Sequence, residues 1–218
     1  EQMDEGGDGA LARDDLRLFL DHLGYDRVTL VGMGGTSAID YAAAHPEPVA
    51  ALVLVDAGPE PMPQGQASTM AFHAETDVLE RFEDFLDRAM QFNPARKPEH
   101  IAYSLTHSLK QTDRGWTWKQ DPRGRDRVRA MPLDERRAAA ERRNAALWTH
   151  LEEIATPTLV VRGDASKTLA ADIAERMVDT FDTAHLVTVE GASGYVPGDQ
   201  PRAFAQALDA FMAETLPR

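Results

Sequence analysis

Cysteine is absent from all 218 residues, which excludes disulfides, thiolate zinc sites and a cysteine nucleophile. That usage fits a reducing compartment, and a cytoplasmic location is the expectation. Positive charge is scarce: 36 acidic side chains face 23 basic ones, for a net charge of −13. A field of that sign repels nucleic acid and anionic lipid, so neither is an expected partner. No apolar run approaches the roughly 18 residues that a membrane helix needs, and no signal-peptide pattern opens the chain. There are no internal repeats. One basic stretch, Arg123, Arg125, Arg127 and Arg129, runs against the acidic trend; a solvated loop or helix start explains it more simply than an anion site.

What is present is ordinary globular material, 43% apolar and 27% charged. Residues 1–10 are acidic and glycine-rich and read as a frayed lead-in. Leu16, Phe19, Leu20 and Leu23 fall on one helical stripe, with Gly24 as its stop. A short strand from Val28, a glycine-rich turn, an alanine-rich helix to His45-Pro46 and a second buried strand over 51–58 follow. Strand, turn, helix, strand is a βαβ unit, which demands parallel strands and a right-handed crossover. From Pro59 the pattern turns helical, with Leu79, Phe82, Leu86 and Met90 on one face, a second helix over 98–110, a strand or turn at WTWKQDP, and a charged helix over 134–146. A buried strand returns at PTLVVRG, then a helix over 170–181, a strand over 185–191, and a last helix opened by Asp199-Gln200-Pro201, with Phe204, Leu208, Phe211 and Met212 on its buried stripe. The predicted organisation is residues 1–59 and 151–218 forming an α/β core of parallel strands with helices on both faces, interrupted by a helical cap over 60–150.

DDLRLFLDHLGYDRVTLVG followed by MGGTSAIDYAAAHPEPVAALVLVDAGP resembles the nucleophile-elbow region of α/β-hydrolases. WTWKQDPR resembles a segment of their helical caps, PTLVVRGDAS the strand that carries the acid, and VTVEGASGYVPGDQPRAFAQALDAFM the segment that carries the histidine. The resemblance spans nearly the whole chain in order and spacing, and implies a partial α/β-hydrolase fold. Relatives open with further strands and an HG-type loop that donates an oxyanion N–H; no counterpart precedes residue 10, so an N-terminally truncated member is expected. Its first strand would have an open edge, inviting a partner or self-association.

The resemblance also locates a depleted site. The elbow pattern G-x-S-x-G holds a nucleophile on a strained turn, but here the run is Val31-Gly32-Met33-Gly34-Gly35-Thr36, with Gly34 where serine belongs. In Gly191-Ala192-Ser193-Gly194-Tyr195, Gly194 stands where relatives keep the general base. The acid position falls at Ser166 or Lys167, with Asp164 and Asp56 within reach of the site. Ser37 and Ser193 are the remaining weak nucleophile candidates; Ser37 sits in a first helical turn, where its hydroxyl serves as a cap or packs. His22, His45, His73, His100, His107, His150 and His185 all lie outside the segments that relatives use for catalysis.

Three functions are in contention. The first is a degenerate, non-hydrolytic homologue binding a small, largely apolar molecule between core and cap, lined by Gly32, Met33, Gly35, Tyr195 and cap aromatics such as Phe72, Trp116 and Trp118. The second is a serine-type hydrolase of esters, lactones, epoxides or C–C bonds, represented by an incomplete or altered sequence. The third is a nucleotide-binding module, since Gly32-Met33-Gly34-Gly35 before a helix offers N–H groups to a phosphate; Ser37 replaces the last glycine of that fingerprint. No cofactor or metal is called for by any motif.

Overall fold

The computed structural model describes residues 7–34, 36–65, 78–92, 94, 96–120, 126 and 130–216. The chain divides into two compact units, one from Glu1–Met62 with Leu133–Arg218 and the other from Pro63–Pro132. The basic stretch Arg123, Arg125, Arg127 and Arg129, together with Phe72 and His73, lies outside the described residues.

The first unit holds a four-stranded parallel sheet. Its strands are β1 (Val28–Met33), β2 (Val49–Val55), β6 (Thr158–Gly163) and β7 (Ala184–Val189), in the order β1-β2-β6-β7. All three pairings are parallel, as the βαβ reading requires. VAALVLV makes a central strand because its nearly unbroken β-branched and aliphatic run suits burial on both faces. Leu52 and Leu54 point into one core layer with Ile39, Tyr41, Leu147, Leu151 and Met177, brought by α1 (Gly7–Leu23), α2 (Ser37–Ala44), α5 (Leu133–Glu153) and α6 (Ala171–Thr180). Ala51, Val53 and Val55 point the other way, into a layer closed by Val196 of α7 (Val196–Asp199) and Phe211 of α8 (Pro201–Thr215). Helices therefore cover both faces, as the fold class demands.

Three details differ from the periodicity. The helix predicted over 134–146 runs from Leu133 to Glu153, and residues 133–150, assigned from sequence to the cap, group with the parallel sheet. Buried Leu147 and Leu151 explain that grouping, since they pack in the layer with Leu52 and Leu54. The predicted stripe of α1 is split: Leu16 and Leu20 face the core, whereas Phe19 is 57% and Leu23 44% exposed. Asp199 does not cap α8; it lies in α7, its carboxylate accepts from Ser193, and Gln200 takes the cap position without a side-chain bond.

Among the described residues β1 is an edge strand. The amides of Val28 and Gly34 donate to Pro48 and Val55 across the pair with β2. Alternation then turns the N–H and C=O groups of Thr29, Val31 and Met33 to the open side.

The second unit contains α3 (Phe82–Phe92) and α4 (Pro98–Ser108), close to the two predicted helices. It also carries a small antiparallel sheet of β3 (Val78–Leu79), β4 (Leu109–Thr112) and β5 (Gly115–Trp118), in the order β3-β5-β4. Phe85, Ile101, Leu105 and Leu109 form its core.

Candidate functional site

In parallel sheets, site residues gather beyond the carboxyl ends of the strands. Here Asp56 follows the last residue of β2, Gly163 ends β6 and Gly191 lies just beyond β7, and the three ends meet. Asp56 is 1% exposed and adopts φ 49°, a conformation a non-glycine residue rarely takes. Such strain at a strand end is characteristic of functional positions. One carboxylate oxygen, Oδ2, accepts from the Ser166 hydroxyl at 2.9 Å; the other, Oδ1, is buried without a hydrogen-bond partner. Burial pushes the Asp56 carboxyl above its ordinary range, against the opposing pull of the Ser166 hydroxyl, the Arg162 guanidinium, the Thr168 hydroxyl and the Gly163 N–H.

Gly194 faces this carboxyl directly. A Cβ on Gly194 would lie 2.4 Å from Asp56 Oδ2 and 3.4 Å from the Thr168 hydroxyl. The position where the resemblance seats a histidine is thus the one Asp56 abuts, and Asp56 is the carboxylate in contact with it. Asp164 is exposed, one residue beyond β6, with its backbone N–H on Val189. Ser166, standing at the resemblance's acid position, is a loop organiser: its oxygen accepts the amides of Thr168 and Leu169 while its hydroxyl serves Asp56. Ser193 is also committed, donating to Asp199 at 2.5 Å and accepting the amide of Tyr195 at 3.3 Å. Tyr195 is half-buried beside Gly198, where any Cβ would overlap its ring.

The elbow is a glycine turn. Gly34 takes φ 65°, has open space around its Cα, and donates its N–H to Val55 at 2.9 Å. Gly32 permits a close approach of strand and helix, since a Cβ there would meet that of Ala38 at 2.5 Å. Met33 is 48% exposed at the end of β1, and Gly35 lies outside the described residues. Ser37 is exposed at the first position of α2, where Thr36 caps without a side-chain bond. No described residue pairs a nucleophilic hydroxyl with an imidazole. Trp116 belongs to the second unit's own packing, edge-on to Phe82 at 5.4 Å between centroids.

A second cluster escaped the sequence reading. Asp40, 4% exposed on α2, is gripped by Arg143 through both guanidinium ends and by His150 Nδ1 at 3.0 Å, both from α5. Arg143 also donates to the Thr36 hydroxyl at 2.7 Å, tying the turn after the elbow to α5. The available signal was a lone acid inside SAIDYAAA, since a buried carboxylate demands a partner. Among the described residues no group of three or more histidine or acidic side chains is placed to hold a metal. No described helix is long and apolar enough to cross a membrane.

Comparison with known proteins agrees with this architecture. The family model for the alpha/beta hydrolase fold matches residues 4–194. Esterase Rv0045c of Mycobacterium tuberculosis (strain ATCC 25618 / H37Rv) is 29% identical over 196 residues, covering 85% of this chain and 60% of its own. The chain therefore spans about 60% of the length of that curated relative. The crystal structure of E-2-(acetamidomethylene)succinate hydrolase superposes with a TM-score of 0.77 at 19% identity, over 98% of this chain and 76% of that one. An alpha/beta hydrolase from Novosphingobium aromaticivorans DSM 12444 gives 0.70 at 23% identity, over 96% and 75%.

Proposed function

Because this chain belongs to the α/β-hydrolase fold family, we propose that its ligands are small, largely apolar carboxylic esters, bound without turnover by a serine–histidine pair. Kinship with an esterase favours a hydrolase over a nucleotide binder and over a non-hydrolytic homologue; the non-hydrolytic reading rests instead on this chain's own residues. The observation that carries the rest is the contact at Gly194. An imidazole is needed there to take a proton from a nucleophile, and a glycine backed by the Asp56 carboxyl stands in its place. Asp56 is the retained acid of the site, since it alone of the candidate carboxylates touches position 194.

Incubation with p-nitrophenyl butyrate, alongside labelling by a fluorophosphonate, tests this reading. Release of nitrophenolate no faster than in buffer, with no covalent adduct and with saturable binding of an unreactive phosphonate ester, is the expected result. Similarity to Rv0045c favours the second reading, that the polypeptide hydrolyses esters. Turnover lost on Ser37→Ala would establish that reading and overturn the first.

A further inference from the structure

The opposite end of the same sheet carries a second concavity. A cavity of about 430 Å³ opens where the carboxyl ends of α1 and α2 meet the loops entering β1 and β2. It lies one strand length from Asp56, roughly 15–20 Å along β1 or β2. Its inner wall is Tyr41, 1% exposed, whose phenol lines the cavity and makes no side-chain hydrogen bond among the described residues. Beside it stands the His45 ring, 5.0 Å away between centroids and tilted 45°, and the rim carries exposed Tyr25.

Charge selects the ligand. Arg17 is already engaged by Asp21 at 2.9 Å, and among the described residues the exposed carboxylates of Asp26 and Glu47 form no ion pair, with Arg27 lining the neighbouring hollow beside Glu47; the three carboxylates outnumber the two guanidinium groups. Two helix carboxyl ends add their partial negative charge at the same place. Aromatic faces flanked by carboxylates suit a cation with an apolar body. We propose that this cavity is a binding site for a small organic ammonium compound, separate from the site at the carboxyl edge of the sheet. The aromatic walls take its apolar part, Asp26 and Glu47 its charge, and the Tyr41 hydroxyl accepts one of its N–H groups. A phenol is neutral at physiological pH and a competent acceptor; burial and then the nearby Asp21 raise the Tyr41 pKa further, with Arg17 opposing.

Benzylammonium chloride titrated into the whole chain, followed by amide and aromatic NMR shifts, tests the proposal. Saturable shifts at Tyr25, Tyr41 and His45 in the millimolar range are expected, weakening as salt is added. The double variant Asp26→Asn with Glu47→Gln, at exposed positions where folding is retained, should weaken binding about tenfold. Tyr41→Phe should weaken it about fivefold. Equal binding of benzoate, undiminished binding to the double variant, shifts centred on Asp56 and Gly194, or no saturable shift would each overturn it.

Discussion

At the scale of single residues, Asp56 combines burial, strain and an unpartnered oxygen, and its carboxyl is pushed up from its ordinary 3.8. Below that ordinary value the folded and unfolded chains are both protonated there. As pH rises, the unfolded chain ionises first, so this group removes stability until the folded-state value is passed. Asparagine tolerates the left-handed backbone and still accepts from Ser166. Asp56→Asn is therefore expected to melt higher than the parent at pH 7, with the gap closing toward pH 4; equal melting curves at both would refute this. Asp40 is the opposite case, a buried acid that is fully partnered. Asp40→Ala strands Arg143 and His150 and should cost about 2 kcal/mol in urea unfolding, below the fully buried range because Arg143 is 39% exposed. That glycines stand at positions 34 and 194, where the resemblance expects a nucleophile and a histidine, is legible in the sequence. Which carboxylate touches position 194 is not, because Asp56, Ser166 and Gly194 are brought together only by the pairing of β2, β6 and β7.

Among elements, the parallel strands were legible because VTLVG, ALVLV and PTLVV are short β-branched runs bounded by turn residues. The β4–β5 hairpin was only half anticipated, since LKQT carries no strand pattern and pairs through its neighbour GWTW. The close approach of β6 to the loop before α7 was invisible in sequence. A Cβ on Gly163 would lie 2.2 Å from the carbonyl oxygens of Ala192 and Ser193, which are backbone and cannot swing aside. Gly163→Ala should therefore destabilise by about 3 kcal/mol. Gly34→Ala, in open space at φ 65°, should cost about 1 kcal/mol from strain alone. Equal losses in denaturant unfolding would contradict that distinction. The edge strand makes its own forecast. Amides of Leu30 and Gly32 face β2 while those of Thr29, Val31 and Met33 face outward, so hydrogen exchange along β1 should alternate between slow and fast at successive residues. Uniform protection across 29–33 would show that the open side is paired in solution.

For the molecule as a whole, the family and the layered α/β plan were readable because the strand and helix motifs keep their order and spacing along nearly the whole chain. The seam between the units was not, since the charged helix Leu133–Glu153 shows little apolar periodicity and reveals its place only through Leu147 and Leu151. That seam has a consequence for synthesis. Pro63–Pro132 separates the two halves of one sheet, and Leu52 must find Thr158 across it. Loop closure over such a span adds little to the equilibrium cost, about 0.6 kcal/mol per doubling of length. Time is the scarcer quantity. On a ribosome adding roughly 5–20 residues per second, VAALVLV emerges several seconds before its neighbour TLVVRG exists. For that interval a nascent chain presents one of the most apolar segments of the protein with a bare flank, the kind of edge that mispairs most readily, because of the order in which the strands are made.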